Sequence, residues 1–401
     1  MKKIIYLILL LIPFSINALT YPETNSKVIE IYDINDNKEL YSLYADHKVY
    51  IASLTKIATT ITAIENINNL DEEVTITQEM LNTVSWDASI AGLKPGDKLT
   101  YRDLLYASML PSGADATNSL AILISGNIKN YVEKMNELVN KLGLTNTHFV
   151  NTTGLDIDGH LSTAEEIRIL LNYALQNPTF KEIYTTKEYT LSNGLKVKST
   201  INTYTKNSNI DTSKILGSKT GFTENAGYCL SSLSNINGHE VIIITLKATH
   251  EGNNYYNIVD TINLINFLNN NYKEELLIEK DTVIKTLPVN LSKINEYEIK
   301  ASKDISKYLP SDYNKDDLKI EYDGIESLNF LNKKDSKLGT IKYYYQDELF
   351  YQEEVTLNTK IKISIIKIIK RYFIIIIIFI ILLFIYKKKT KKRRKRKKNH
   401  K

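Results

Sequence analysis

The stretch that most restricts this chain is Tyr372–Tyr386, YFIIIIIFIILLFIY, fifteen residues without a charged side chain. As a helix it reaches roughly 22 Å, short of the roughly 30 Å hydrocarbon core of a bilayer. The segment Ile361–Arg371 can extend it, with its lysines snorkelling to the interface. Behind it, residues 387–401 carry twelve Lys or Arg. A run of that kind stays on the cytoplasmic side of a membrane and leaves the rest of the chain outside. The expectation is a transmembrane segment over 365–386 and a basic cytoplasmic tail over 387–401. The body would then be extracellular, held at the cell membrane by a single pass. Placed behind a membrane segment, the tail is a topology signal that also attracts anionic lipid, not an arm for nucleic acid.

The other terminus fits this address. Lys2 and Lys3, the apolar run Ile4–Ile12 and the exit Ile16-Asn17-Ala18 form a secretory signal over residues 1–18. An uncleaved anchor is the alternative, and the apolar run is short for it. The formal charge of +5 hides an asymmetry: residues 20–360 hold 33 Lys and Arg against 46 Asp and Glu, a balance of −13. One cysteine, Cys229, excludes an intramolecular disulfide and sits in an apolar run as a small core residue.

Patterning gives the organisation. Residues 27–33 and 38–43 are strand-like runs around Asn35-Asp36-Asn37, a hairpin signal. Ser53 opens a helical pattern of Leu54, Ile57, Ala58, Ile61 and Ile64. Further helices are expected over 101–110 with Thr100 as cap, 115–124 after the break at Pro111, 130–142, and 163–176 with Thr163 and Glu166 as a capping pair. Strands follow at 187–190, 195–199, 216–220, 228–234 and 240–248, then a helix at 254–268. Strands first, helices in the middle and strands last predict one α+β domain over 20–272, with the first hairpin joining the later strands in a single sheet. From 274 to 358 the texture is short alternating runs, a small β-rich domain without a catalytic cluster. The fold class is therefore α+β, an antiparallel sheet flanked by helices, followed by an all-β domain and a C-terminal transmembrane helix.

Three strings carry chemistry: Ser53-Leu54-Thr55-Lys56, Ser112-Gly113-Ala114 and Lys219-Thr220-Gly221. Each alone is weak; together, in this order, they mark a serine acyl-transfer site that uses lysine as base. A helix puts Ser53 and Lys56 on one face. A serine hydroxyl needs a base within reach, and Lys56 serves only when neutral, which burial and a second cation such as Lys219 favour. Lys219 and Thr220 suit a carboxylate, and Gly221 permits close approach. The backbone N–H groups of Ser53 and Phe222 are candidates for an oxyanion hole. The set calls for no cofactor and no metal. His160 is expected to be structural, and Trp86 to be a packing residue or a contact at the rim of the site.

The chain resembles the low-molecular-mass penicillin-binding proteins, the D-alanyl-D-alanine carboxypeptidases. The match runs through Ile51-Ala52-Ser53-Leu54-Thr55-Lys56, Gly92-Leu93-Lys94-Pro95-Gly96-Asp97, Leu110-Pro111-Ser112-Gly113-Ala114-Asp115-Ala116, Thr153-Gly154-Leu155-Asp156, Gly159-His160-Leu161-Ser162-Thr163-Ala164 and Lys219-Thr220-Gly221-Phe222-Thr223. It implies a penicillin-binding/β-lactamase-like domain in which Ser53 is acylated and Lys56 is its base. Ser112 would relay a proton, Lys219 would tune the network, and Thr220 would hold the substrate carboxylate. The substrate would be a peptidoglycan stem peptide, and β-lactams would acylate Ser53 as mimics. Two departures stand out. The second motif ends in Ala114 where the family usually has Asn, and Lys247 and His250 stand where many members carry Arg. A catalytically impaired module that binds wall peptide is therefore one alternative. A β-lactamase is another; it needs a deacylating Glu, for which Glu165 and Glu166 are the candidates.

Overall fold

The computed structural model describes residues 19–206, 210–252 and 254–398. The signal expected over 1–18 and the end of the tail lie outside them. The chain divides into two compact units. One runs up to Lys273 and takes in Pro310–Asp312; the other holds Glu274–Leu309 and Tyr313–Lys401.

The first unit is built on a five-stranded sheet. The hairpin β1 (Val28–Asp33) and β2 (Lys38–Leu43) joins β3 (Ile215–Thr223), β4 (Gly227–Ile236) and β5 (His239–Ala248) in the order β2-β1-β5-β4-β3. Every neighbouring pair is antiparallel. Successive side chains of a strand point to opposite faces, so the apolar run of β5 must serve two layers. Ile242, Ile244 and Leu246 join one core with the helical body. That body contains α1 (Thr55–Asn66), α2 (Tyr101–Met109), α3 (Ala114–Ser125), α4 (Ile128–Lys141) and α5 (Ala164–Leu175). On the other face lies α6 (Tyr256–Asn271), packed on β4 and β5. There Thr245 Oγ1 bonds the carbonyl of Asn257 at 3.1 Å. α2 starts at the Thr100 cap the sequence signals, and the structure makes it a capping box: Thr100 accepts from the Asp103 N–H, and Asp103 accepts from the Thr100 N–H. The sheet leaves β3 at one edge, which is what positions the site.

The second unit is all-β apart from its C-terminal helix. Strands Leu318–Gly324, Lys337–Tyr345 and Glu348–Thr356 form one antiparallel sheet. Strand Val283–Asn290 pairs with Glu296–Lys300 and with Leu328–Asn329. Leu287, Ile299, Leu338, Ile341 and Tyr343 form its core.

The C-terminal helix corrects one expectation. α7 (Ile365–Lys398) is helical, but among the described residues no single helix is long and apolar enough to cross a membrane. Two segments, Ile365–Ile375 and Ile377–Lys391, meet at a bend of 51° and pass that test only together. The reason is the bend: it divides the helix into legs of 11 and 15 residues, each too short for a span, although the uncharged run Tyr372–Tyr386 continues through it.

Candidate active site

The first motif is bent more tightly than an α-helix. Ala52–Leu54 forms a turn of 3₁₀ helix, and α1 starts only at Thr55. Ala52 sits at φ +48°, in the left-handed region that an L side chain occupies at a cost of about 1–2 kcal/mol. Thr55 Oγ1 ties it down by donating to the Ala52 carbonyl at 2.9 Å. The turn still brings Lys56 Nζ to 3.0 Å from Ser53 Oγ and to 2.8 Å from the carbonyl of Thr153. Lys56 is 2% exposed, whereas Ser53 is half-buried. Burial pulls the Lys56 amine down from the usual lysine range to about 7; the charge of Asp115 opposes this. A lysine so placed is largely neutral just above neutral pH and offers a lone pair to the serine proton.

The second and third motifs meet each other. Lys219 lies on β3, where it pairs with Ser231 of β4. Its Nζ donates to Ser112 Oγ at 2.9 Å and to the carbonyl of Thr220 at 2.7 Å. Burial, and then the charge of Lys56, push the Lys219 amine well below the ordinary lysine value. Ser112 also sits at positive φ, +63°, so backbone strain is stored at Ala52, beside the first serine, and at the second serine itself. Gly221 joins the two halves: a Cβ there would stand 3.0 Å from both the Ser53 backbone N and the Ala52 Cβ. Thr220 is 2% exposed and shares a 2.5 Å hydrogen bond with the hydroxyl of Thr200. Phe222 stands apart from this network. It is 43% exposed and packs on Tyr228 at 4.4 Å between ring centroids.

Two loops hold the arrangement, and sequence reading assigned neither a role. Asn151 Oδ1 accepts from the N–H groups of Thr153 and Gly154, folding the loop that presents the Thr153 carbonyl to Lys56. Gly154 lies so close to the nucleophile turn that a Cβ would fall 1.9 Å from the Ala52 carbonyl. Asp156 then ties the loop to the end of β3 by accepting from Thr223 Oγ1 at 2.7 Å. In the second loop, Asp115 accepts from the N–H groups of Ala91, Gly92 and Leu93 at 2.8–3.0 Å. The string Gly92–Asp97 is thereby anchored to α3.

The remaining candidates sort themselves by contact. His160 is structural, as expected: Nδ1 accepts from the Val150 N–H and Nε2 meets Thr55 Oγ1 at 2.7 Å. Burial holds its imidazole down to about 4, so it is neutral. It therefore supports Thr55, which supports Ala52 beside the nucleophile. Glu166 accepts from Asn146 N and Thr147 Oγ1, and Glu165 is exposed in the first turn of α5. Glu166 is thereby committed to the 146–147 loop, as a structural carboxylate would be. Asn118, one helical turn beyond the missing amide at Ala114, is committed to Thr83 and Thr152. The acceptor on Lys56 is the Thr153 carbonyl instead. His250 packs against Tyr228 and Tyr255, and Lys247 is exposed. Cys229 is fully buried in the core, and burial lifts its thiol to about 12. Trp86 does not pack; it is 95% exposed.

Residues 16–250 match the family described as D-alanyl-D-alanine carboxypeptidase, and 272–363 match the C-terminal domain of penicillin-binding protein 5. A D-alanyl-D-alanine carboxypeptidase of Streptomyces sp. strain K15 is 36% identical over 223 residues, covering 52% of this chain and 76% of the relative. The carboxypeptidase DacF of Bacillus subtilis is 25% identical over 358 residues, 86% and 88% of the two chains. The crystal structure of penicillin-binding protein 5 from Haemophilus influenzae superposes with a TM-score of 0.63 at 24% identity, over 86% of this chain and all of that one; this likeness concerns the fold. The sequence match extends over the segments that hold Ser53, Lys56, Ser112 and Lys219 together, and the chain belongs to the D-alanyl-D-alanine carboxypeptidase family.

Proposed function

We propose that this chain is a serine-type D-alanyl-D-alanine carboxypeptidase that shortens peptidoglycan stem pentapeptides by one D-alanine. The observation that carries the reading is a buried, largely neutral Lys56 amine 3.0 Å from Ser53 Oγ. Lys56 takes the Ser53 proton as Oγ bonds to the penultimate D-alanine carbonyl carbon. The N–H groups of Ser53 and Phe222 hold the oxyanion. Ser112, bonded to Lys219, delivers a proton to the departing amine as the C–N bond breaks and is reprotonated with the proton that Lys56 took, which leaves Lys56 neutral again. Water, deprotonated by the same base, then releases the shortened peptide and restores Ser53. Lys219 and Thr220 hold the terminal carboxylate, and β-lactams enter the first half of the cycle. The C-terminal helix holds the enzyme at the membrane with its catalytic unit outside the cell.

The test is a gel of membranes treated with fluorescent penicillin, with Ser53→Ala as control, together with D-alanine release from a pentapeptide. Labelling of wild type alone with release supports the reading; an unlabelled wild type sinks it. One observation favours a second reading. Ala114 is fully buried and its methyl offers no hydrogen bond where an amide would stand. If unlabelled protein still binds stem peptide, the chain is a wall-peptide-binding module.

A further inference from the structure

The loop that precedes the second motif is stapled along its length and presents two large apolar side chains to solvent, Ile90 at 57% and, far more fully, Trp86. Asn118 Nδ2 donates to the Thr83 carbonyl at 3.1 Å, the Ala114 N–H donates to Ser89 O at 2.7 Å, and Asp115 holds Ala91, Gly92 and Leu93. All three anchors come from the first turns of α3, immediately after Ser112. Between the anchors stands Trp86, the sole tryptophan of the chain, 95% exposed. Ser85 and Asp87 flank it, exposed and bonded to each other at 2.5 Å. A tryptophan gains from burial more than almost any residue, and a loop this firmly held does not leave one in water for want of order. An indole face beside a hydroxyl and a carboxylate suits a sugar ring, whose C–H face stacks on the indole and whose hydroxyls donate to the carboxylate.

We propose that Trp86, Ser85 and Asp87 form an aminosugar-binding subsite that engages the N-acetylated sugar to which a wall stem peptide is attached. The proposal rests on the carboxypeptidase reading for its substrate, but not for its binding measurement. The subsite makes the enzyme select sugar-bearing peptides over the bare peptide, through KM and not through kcat. A single tryptophan makes the contact directly visible. Full-length Ser53→Ala protein in detergent is titrated with N-acetylmuramyl-pentapeptide and with the same pentapeptide lacking the sugar, and indole emission is followed.

The sugar-bearing ligand is expected to shift Trp86 emission to the blue and to bind about tenfold tighter than the bare peptide. In the catalytically intact enzyme, Trp86→Ala erases the KM difference between the two substrates while kcat on the bare peptide stays within twofold, and Trp86→Phe restores part of it. Equal binding of the two ligands, or no emission change at saturating sugar-bearing ligand, overturns the subsite. So does an emission change produced by phosphatidylglycerol in the micelle and not by the sugar, which assigns the loop to the membrane surface. If neither substrate releases D-alanine while the sugar-dependent shift persists, the peptidase reading fails and the subsite stands.

Discussion

Lys56 shows how a residue type becomes a chemical group. A lysine ordinarily stays charged far above neutral pH, but here burial brings the amine to about 7. The free base accepts the serine proton, so acylation of Ser53 by a β-lactam is expected to rise about tenfold per pH unit below 7 and to level off above it. A stopped-flow pH profile checks this; a flat profile between pH 5.5 and 8 removes Lys56 as the base. His160 titrates with consequences for stability instead. Its folded value of about 4 lies below the ordinary 6.5, so the unfolded chain binds the proton more readily. Stability is intact above pH 6.5, declines as pH falls from 6.5 toward 4 by up to about 3 kcal/mol, and has nothing further to lose from this group below 4. Denaturant melts of the wild type and His160→Gln at pH 4.5 and 7.5 measure the difference, which the variant should lack. Ser53, Lys56, Ser112 and Lys219 were legible as letters because their side chains carry the chemistry. The Thr153 carbonyl was not, because a backbone acceptor has no letter and any residue at 153 supplies one. Of the two expectations for Trp86, packing fails, because the side chain is 95% exposed and no letter in the sequence signals that.

At the scale of elements, long periodic segments were readable and short ones were not. The apolar spacing from Leu54 to Ile64 and the cap at Thr100 gave α1 and α2, and the run in β5 gave the central strand. The pieces Gln78–Leu81, Pro178–Thr185 and Thr200–Thr205 are too short for a period to emerge, and tertiary packing decides them. The 3₁₀ turn at Ala52–Leu54 was read as the first turn of α1; the left-handed Ala52 that opens it follows from its neighbours. Gly154 is one such neighbour. Alanine there would have to occupy φ +90° and would drive its Cβ into the Ala52 carbonyl. Gly154→Ala is therefore expected to cost about 2–4 kcal/mol, in the range of overpacking plus backbone strain, and to slow penicillin acylation more than a hundredfold. Melting temperature and labelling rate are read together. An unchanged acylation rate would mean that the 151–156 loop does not set the nucleophile turn.

For the whole molecule, the open question is what a C-terminal helix bent by 51° between two short legs does. Its legs, 365–375 and 377–391, are about 16 Å and about 22 Å long at 1.5 Å per residue, so neither alone reaches across roughly 30 Å of hydrocarbon. Laid end to end at the 51° bend, they extend about 32 Å along the direction of the longer leg. The charges fit the same picture. In a crossing, Lys367, Lys370 and Arg371 would mark an interfacial first leg, and the cations from Lys387 onward would hold the far end on the cytoplasmic side. The second unit closes its own core before this helix begins: Leu357 and Ile361 are buried, and Ile363 bridges to Ser292. A chain ending at Ser364 should therefore fold, leave the membrane fraction for the soluble one, and label at Ser53 with fluorescent penicillin at the wild-type rate. Under the proposed insertion of this helix, the full chain should stay with membranes through a high-salt wash, since salt weakens charge attraction and not insertion. Release of the full chain by salt would make α7 a surface-lying cationic helix, with both ends of the molecule on the same side of the bilayer.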